Sequence, residues 1–140
     1  VIPEVISSME EAGWENGIEG FMATSDLQRV AEYIDQYLPE IYYVNSEPGC
    51  VDIMASGVSK WRGIKILAES LNIAHEDILT VGNYYNDIDM LQHAGVGIAV
   101  ANSLPEVKDV ADFVTEYDNN HDAVAEIISK MLHHEYDMTK

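Results

Sequence analysis

Apolar residues recur along the chain with two different patterns, and the change between them falls near residue 56. The first part predicts helices and strands in mixed order. These are a helix over Pro3–Ala12, a strand over Gly20–Ala23, a helix with Ser25 as N-cap that ends before Pro39, and strands over Ile41–Val44 and Val51–Met54 joined by a turn at Glu47-Pro48-Gly49. This part therefore predicts a small α+β unit.

After residue 56 the pattern becomes a strict alternation of helices and strands. The predicted elements are a helix with an apolar stripe (Trp61, Ile64, Leu67, Ala68 and Leu71), a strand over Ile78–Val81, a helix over Ile88–Ala94, a strand over Val96–Val100, a helix over Pro105–Val110, a strand at Phe113 and Val114, and a helix over His121–Leu132. Alternating units of this kind form a parallel sheet covered by helices, so the predicted fold class is α/β.

Composition and charge exclude several classes of function. The 140 residues are 47% hydrophobic, which favours a folded protein, and no apolar run approaches the roughly 20 residues of a membrane span. A formal net charge of −18 opposes binding to nucleic acid and to anionic membrane surfaces. The single cysteine, Cys50, excludes an internal disulfide and favours a cytoplasmic location. A phosphorylated ligand would need a divalent cation and a nearby lysine to offset this charge.

Short polar side chains follow the predicted strand Ile78–Val81 within the segment Val81-Gly82-Asn83-Tyr84-Tyr85-Asn86-Asp87-Ile88-Asp89-Met90-Leu91. A strand that ends at a glycine and leads into a helix places such side chains at the carboxyl edge of a parallel sheet, where open α/β folds bind their ligands. A second polar segment, Gly57-Val58-Ser59-Lys60, precedes a predicted helix. These two segments carry the candidate chemistry.

Together the two segments resemble the lysine-containing third motif and the Gly-Asp-x-x-Asn-Asp fourth motif of the haloacid dehalogenase (HAD) superfamily, particularly its Cof-type sugar-phosphate phosphatases. The resemblance implies that residues 1–55 are the C-terminal part of a cap domain and that residues 56–140 are the C-terminal half of a Rossmann-like core. It also implies a cytoplasmic, Mg²⁺-dependent phosphatase that acts on small phosphorylated metabolites through an aspartyl phosphate.

The resemblance implies a role for each candidate residue, and each has a simpler alternative. Lys60 would stabilise the phosphoryl group during transfer, but a lone lysine is often only a surface charge. Asn83 and Asp87 would lie in or beside the magnesium shell, and Asn86 would orient the acidic cluster or contact phosphate. Asn86 and Asp87 could instead cap the following helix. Asn102 would line the site from the next strand end, although a turn also explains it.

The sequence departs from the family pattern at two places. Asn83 occupies a position where the family has an aspartate, and an amide oxygen without charge should lower the affinity for the metal. No Asp-x-Asp motif precedes Lys60, so the nucleophile is missing from this chain. Thr24, at the end of an apolar segment, superficially resembles the phosphate-binding second motif, but a cap strand followed by a helix N-cap explains it equally well.

Three hypotheses remain open. In the first, the chain, which begins at Val1, is the C-terminal piece of a phosphatase; alone it would be inactive, would expose the edge of the strand Ile78–Val81, and would dimerise or need its N-terminal half. In the second, it is a stand-alone non-catalytic binding module, with the missing strand replaced by Gly20–Ala23. The third, a receiver-like signalling domain, requires a phosphoacceptor aspartate at a central strand end, and none is apparent.

Overall fold

The computed structural model describes residues 20–136, so the helix predicted over Pro3–Ala12 lies outside the described part. Two three-stranded sheets follow one another along the chain. In order, the elements are β1 (Gly20–Ala23), α1 (Leu27–Tyr37), β2 (Ile41–Glu47), β3 (Cys50–Ala55), α2 (Lys60–Leu71), a 3₁₀ turn (His75–Asp77), β4 (Leu79–Gly82), a 3₁₀ turn (Tyr85–Asp87), α3 (Ile88–His93), β5 (Val96–Ala99), α4 (Pro105–Lys108), β6 (Phe113–Val114) and α5 (Ala123–Leu132).

The first sheet is antiparallel, with β3 between β1 and β2. Gly20 pairs with Met54 in β3, so β1 belongs to this sheet and does not extend the second one. The suggestion that Gly20–Ala23 replaces a missing strand of the parallel sheet is therefore wrong. The predicted N-cap at Ser25 is also wrong, because Asp26 holds that position in the left-handed region (φ 49°) and makes no side-chain cap bond.

The second sheet is parallel, in the order β4-β5-β6, and helices cover it on both faces. On one face Ala99 of β5 packs against Leu91 of α3 and Val107 of α4. On the other face Val96 and Ile98 pack against Ile127 of α5, as the two-residue side-chain period of a strand requires. The predicted parallel sheet with flanking helices is confirmed, and its core lies around β5.

Gly97 lets α3 approach the middle strand of the parallel sheet. A Cβ atom added to Gly97 would lie 2.2 Å from the backbone oxygen of Leu91, far inside van der Waals contact. Any larger residue would therefore force the helix away from the strand. This close approach keeps the segment that carries the candidate site residues tightly against the sheet.

Part of the described apolar surface is uncovered. The predicted stripe on α2 contains buried Ala68, but Leu67 and Leu71 are exposed. On α5, Ile128 and Leu132 are exposed as well. Within residues 20–136, β4 pairs only with β5, so its other edge is open. No helix in the described part is long and apolar enough to cross a membrane.

Candidate active site

The site begins at the carboxyl end of β4, where a glycine makes room for a buried carboxylate. A Cβ atom on Gly82 would lie 2.4 Å from the Cβ of Asp87, so the two residues can be neighbours only because position 82 has no side chain. The backbone N–H groups of Asn83 and Tyr84 donate to Oδ2 of Asp87 at 2.8 and 3.2 Å. The short turn from β4 into α3 thus holds the Asp87 carboxylate in one orientation.

Lys60 reaches this carboxylate from the start of α2. Ser59 caps that helix, since its hydroxyl accepts from the N–H of Arg62 at 3.1 Å, and this fixes Lys60 as the first helical residue. The Lys60 ammonium donates to Oδ1 of Asp87 at 2.5 Å. The Asp87 side chain is 5% exposed and that of Lys60 is 49% exposed, so the carboxylate is anchored and the ammonium still faces outward.

A cavity of about 510 Å³ opens beside this ion pair. Lys60, Gly82, Asn83 and Asp87 border it from the β4 side. Residues of the loop between β6 and α5 border it as well, namely Asn119, Asn120 and Asp122. The cavity therefore combines one lysine, a buried carboxylate and several amides at the carboxyl edge of a parallel sheet, the usual ligand position in open α/β folds.

The loop after β5 fixes the backbone of the β4 turn. The buried hydroxyl of Ser103 donates to the carbonyl oxygen of Gly82 at 3.2 Å, and the N–H of Val100 donates to the same oxygen at 3.2 Å. The N–H of Leu104 donates to the carbonyl oxygen of Asn83 at 3.3 Å. These bonds fix the backbone of the turn whose N–H groups orient Asp87. Ser103 therefore stabilises the orientation of Asp87 indirectly, through the carbonyl group of Gly82.

The predicted site residues divide into two groups. Lys60, Asn83 and Asp87 border the same cavity, whereas Asn86 and Asn102 are not part of its lining. Asn86 directly precedes Asp87 in the chain and is half-buried, and within residues 20–136 its side chain has no hydrogen-bond partner. The roles predicted for these five residues remain predictions.

Thr24 follows β1 in the antiparallel sheet and is not among the residues that border this cavity. The sequence reasoning missed Asn119, Asn120 and Asp122. The segment Asp118-Asn119-Asn120-His121-Asp122 reads as an ordinary turn, and its one signal was the cluster of short polar side chains after the third parallel strand.

The antiparallel sheet contributes a neighbouring surface. Its strand β2 packs against the 3₁₀ turn Tyr85–Asp87. The Tyr85 hydroxyl donates to Oε1 of Glu106 at 3.3 Å, and the nearby Glu106 carboxylate raises the pKa of Tyr85. Tyr85 is therefore a neutral hydrogen-bond donor at the border between the two sheets.

The described residues do not form a magnesium site by themselves. Both carboxylate oxygens of Asp87 are already engaged, and its charge is balanced by Lys60. The side chain of Asn83 is exposed and offers one neutral oxygen. Within residues 20–136 no group of three acidic, histidine or cysteine side chains could hold a metal ion. A bound Mg²⁺ would need carboxylates from another segment.

A larger cavity, of about 680 Å³, lies in the antiparallel part of the molecule between the sheet and α1. Its lining is mostly apolar and includes Phe21, Val30, Ile34 and Ile53. Its charged lining residues, Asp26 and Arg29, form no ion pair with each other, unlike Lys60 and Asp87. We therefore place the candidate chemistry in the smaller cavity.

Comparisons with known proteins identify the family to which this chain belongs. The model of the haloacid dehalogenase-like hydrolase family matches residues 16–128. The chain is 34% identical over 103 residues to the protein MG265 of Mycoplasma genitalium, covering 74% of this chain and 37% of that protein. It is 34% identical over 89 residues to the 5-amino-6-(5-phospho-D-ribitylamino)uracil phosphatase YcsE of Bacillus subtilis, covering 64% of this chain and 35% of that protein.

A solved HAD subclass IIB sugar phosphatase has the same fold as this chain. The two superpose with a TM-score of 0.74 and 30% sequence identity, over 96% of this chain and 48% of that protein. The chain thus spans less than half the length of each of these relatives.

Proposed function

Because this chain belongs to the haloacid dehalogenase-like hydrolase family, we propose that it is the C-terminal part of a Mg²⁺-dependent phosphatase of Cof type. The proposed substrates are small phosphorylated metabolites. The reaction is hydrolysis of a phosphate monoester through an aspartyl phosphate, with the nucleophilic aspartate supplied by a segment outside this chain. Residues 20–55 would belong to the cap domain and residues 56–136 to the core.

The observation that carries the proposal is the Lys60–Asp87 pair beside the cavity. An ammonium group has three N–H donors, and Asp87 uses one of them. The other donors of the half-exposed Lys60 can bind oxygens of a phosphoryl group, since the anchored carboxylate fixes the position of the ammonium. A preorganised positive charge of this kind stabilises the negative charge that moves between oxygens during phosphoryl transfer.

The remaining parts of the reaction lie outside the described residues. In the first step a carboxylate oxygen attacks phosphorus and the ester oxygen leaves, taking up a proton. In the second step water hydrolyses the acyl phosphate and releases inorganic phosphate. Mg²⁺, with Asn83 as one neutral oxygen ligand and carboxylates from the other segment, would balance the charge of the phosphoryl group when bound.

The first test concerns the length of the natural gene product and its activity. Immunoprecipitation and intact-mass measurement should give about twice the 15.6 kDa of this chain, because the relatives are about twice as long. That product should hydrolyse p-nitrophenyl phosphate and a panel of phosphate monoesters with added Mg²⁺, and should stop when a chelator is added. A mass near 15.6 kDa without turnover would contradict the proposal.

The second test asks whether Lys60 contributes to turnover. In the full gene product, Lys60→Ala should lower kcat by about 100-fold or more, the usual cost of losing a preorganised charge on a developing anion. Lys65→Ala, on the same helix and exposed, is the matched control and should stay within about twofold of the wild type, as surface substitutions usually do. Circular dichroism should show that both variants are folded. A nearly normal kcat in the Lys60→Ala variant would contradict the proposed role of the Lys60–Asp87 pair in turnover.

A second candidate function, a non-catalytic binding module, is favoured by one observation. Asn83 stands where the resemblance to the family implies a charged aspartate. Uptake of beryllofluoride with Mg²⁺ separates the candidates, because this ion complex mimics an aspartyl phosphate and needs a free nucleophilic carboxylate. The full gene product should take it up if it is a phosphatase, and a binding module should not.

A further inference from the structure

A second group of polar residues borders the cavity and has no part in the Lys60–Asp87 pair. They belong to the loop between β6 and α5, residues 115–122. Asn119, Asn120 and Asp122 line the cavity from this loop. The ends of β4 and β6 are two strands apart in the sheet, about 10 Å at 4.7–4.9 Å per strand. From β6 the loop passes the end of β5, where Asn119 contacts Asn102. A phosphate held at Lys60 therefore leaves space for an organic group that extends toward the loop.

The loop is fixed to the rest of the core by side-chain hydrogen bonds. The Asn102 amide donates to Oδ1 of Asn119 at 2.6 Å, and the N–H of Asn119 donates back to Oδ1 of Asn102 at 3.3 Å. At the base of the loop, Glu126 of α5 accepts from the N–H groups of Glu116 and Tyr117 at 3.0 and 3.1 Å. Asn102 is thus joined to the loop immediately before Asn120.

Asn120 itself is held by its backbone only. Its N–H donates to Oδ1 of Asp118 at 2.8 Å. Its side chain is exposed, borders the cavity, and has no hydrogen-bond partner within residues 20–136. A primary amide offers both donors and an acceptor, which suits a hydroxyl or carbonyl group. The neighbouring Asp122 carboxylate would repel a second phosphate at the same place.

We propose that Asn102 is a positioning residue that acts through Asn119, and that the Asn120 side chain hydrogen-bonds the organic part of the phosphate ester. This inference rests on the proposed phosphatase function and adds two roles to it. Asn120 binds a hydroxyl or carbonyl group of the substrate. Asn102, which does not line the cavity, keeps the loop in the position where Asn120 can reach that group.

The test uses the full gene product and the ester that it hydrolyses best in a panel of phosphate monoesters. Asn120→Ala should raise KM by about fivefold, the effect of one hydrogen bond, with kcat changed by less than about twofold. Inhibition by inorganic phosphate should be unchanged, because phosphate alone does not reach the loop. Gln92→Ala, an exposed amide on α3 away from the cavity, is the control and should leave KM unchanged.

The positioning role is tested by combining substitutions. Asn102→Ala should raise KM as Asn120→Ala does, and the double variant should be no worse than Asn120→Ala alone, because Asn102 acts only through the placement of Asn120. Asn102→Asp should keep KM near the wild type, since the Asn119 amide can turn over and donate to the new carboxylate. Additive effects, or an equal loss in Asn102→Asp, would overturn the positioning role.

Two further outcomes separate this inference from the proposed function. If the wild type hydrolyses no ester in the panel, the proposed function fails, and the substrate role of Asn120 fails with it. Hydrogen exchange then still decides the positioning role. Asn102→Ala should speed exchange of the loop amides 117–121 and leave those of β4 unchanged; equal protection in both proteins would show that Asn102 does not hold the loop. A normal KM in an active Asn120→Ala variant would overturn the substrate contact.

Discussion

The two sheets of this molecule have the same number of strands but differ in how completely they are buried. All four residues of β5 are buried in the parallel sheet, with helices on both faces. In the antiparallel sheet only Cys50 and Val51 of β3 are buried, while Phe21 and Met22 of β1 are 48% and 63% exposed. Parallel sheets are stable only when both faces are covered. The candidate site therefore lies on the sheet whose middle strand is covered on both faces within residues 20–136.

The largest expected difference between the sheets comes from substituting one glycine in each. Gly97→Ala would put a Cβ atom 2.2 Å from the backbone oxygen of Leu91, so α3 must move and the free energy of unfolding should fall by about 3 kcal/mol or more. In Gly20→Ala the nearest backbone atom is the oxygen of Ile53, at 3.1 Å, which small shifts can accommodate. We expect that change to cost less than about 1 kcal/mol. Urea unfolding measures both.

A helical glycine with free space serves as the control for this pair. A Cβ atom added to Gly63 in α2 would meet no atom within 4 Å in the part of the chain that the structure describes. Gly63→Ala should therefore stabilise the chain by up to about 1 kcal/mol through helix propensity alone. Equal destabilisation by Gly97→Ala and Gly20→Ala would show that the parallel sheet is no more tightly packed than the antiparallel one.

The second difference concerns apolar side chains. Leu91 is fully buried between α3 and β5, and Leu91→Ala should cost about 2–5 kcal/mol because it removes packed methyl groups and leaves a cavity. Met22 is 63% exposed, so Met22→Ala should cost less than about 0.5 kcal/mol in this chain. Thermal unfolding followed by circular dichroism measures both. A large loss for Met22→Ala would mean that a second copy or another segment covers β1.

Much of this fold could be predicted because the core of the parallel sheet is local and strongly patterned. The predicted strand Val96–Val100 differs from β5 by one residue, and the predicted helix His121–Leu132 begins two residues before α5. The apolar stripe on α2 was less informative, since Leu67 is 59% exposed. Periodicity identifies the apolar face of a helix, but it does not tell whether another element covers that face.

The sequence pointed to one part of the candidate site and not to the other. Lys60 and Asp87 each follow from a local signal, a helix start after Ser59 and a turn after a strand that ends at Gly82, and the sheet brings them within 2.5 Å. The loop after β6 could not be found in this way. The position of Asn119 beside Asn102 depends on how two neighbouring strands end, and no short motif encodes that distance.

A charged hydrogen-bond network in the parallel part should give a smaller difference in the free energy of unfolding. Glu126 on α5 accepts from Lys130 at 2.7 Å and from two backbone N–H groups. Burial opposes its ionised form, but these bonds outweigh burial and lower the pKa of Glu126. Glu126→Gln removes the charge and should cost about 1–2 kcal/mol at pH 7.

The control for this substitution is Tyr43→Phe in β2 of the antiparallel sheet. It removes a hydrogen bond to Asp35 on the surface and should cost less than about 0.5 kcal/mol. A carboxyl group whose pKa is lower in the folded state stabilises the fold at pH values above its pKa in the unfolded chain. The contribution of Glu126 should therefore be lost as the pH falls through its folded pKa. The difference in the free energy of unfolding between the Glu126→Gln and Tyr43→Phe variants should therefore become smaller in acid. A difference that does not change with pH would contradict this role of Glu126.

The smallest expected effect lies in the loop that borders the cavity. His121 donates to Oδ1 of Asp118 at 2.6 Å, and this bond, with the N–H of Asn120, lowers the pKa of Asp118. His121→Ala should raise the pKa of Asp118 toward its ordinary value, which carbon NMR of the side-chain carboxyl measures directly. His75→Ala, an exposed histidine in the turn before β4, should not change it.

The direction of this shift also sets the pH dependence of the loop. The carboxylate of Asp118 is present above its usual pKa and disappears as the pH falls through the lowered value, so protection of the Asn120 amide should be lost only in acid. In His121→Ala that loss should begin at higher pH. If the Asn120 amide is equally protected from exchange at neutral and acidic pH, Asp118 does not order the loop. The tightly packed parallel core, which differs from the more exposed antiparallel sheet, would then extend only as far as β6.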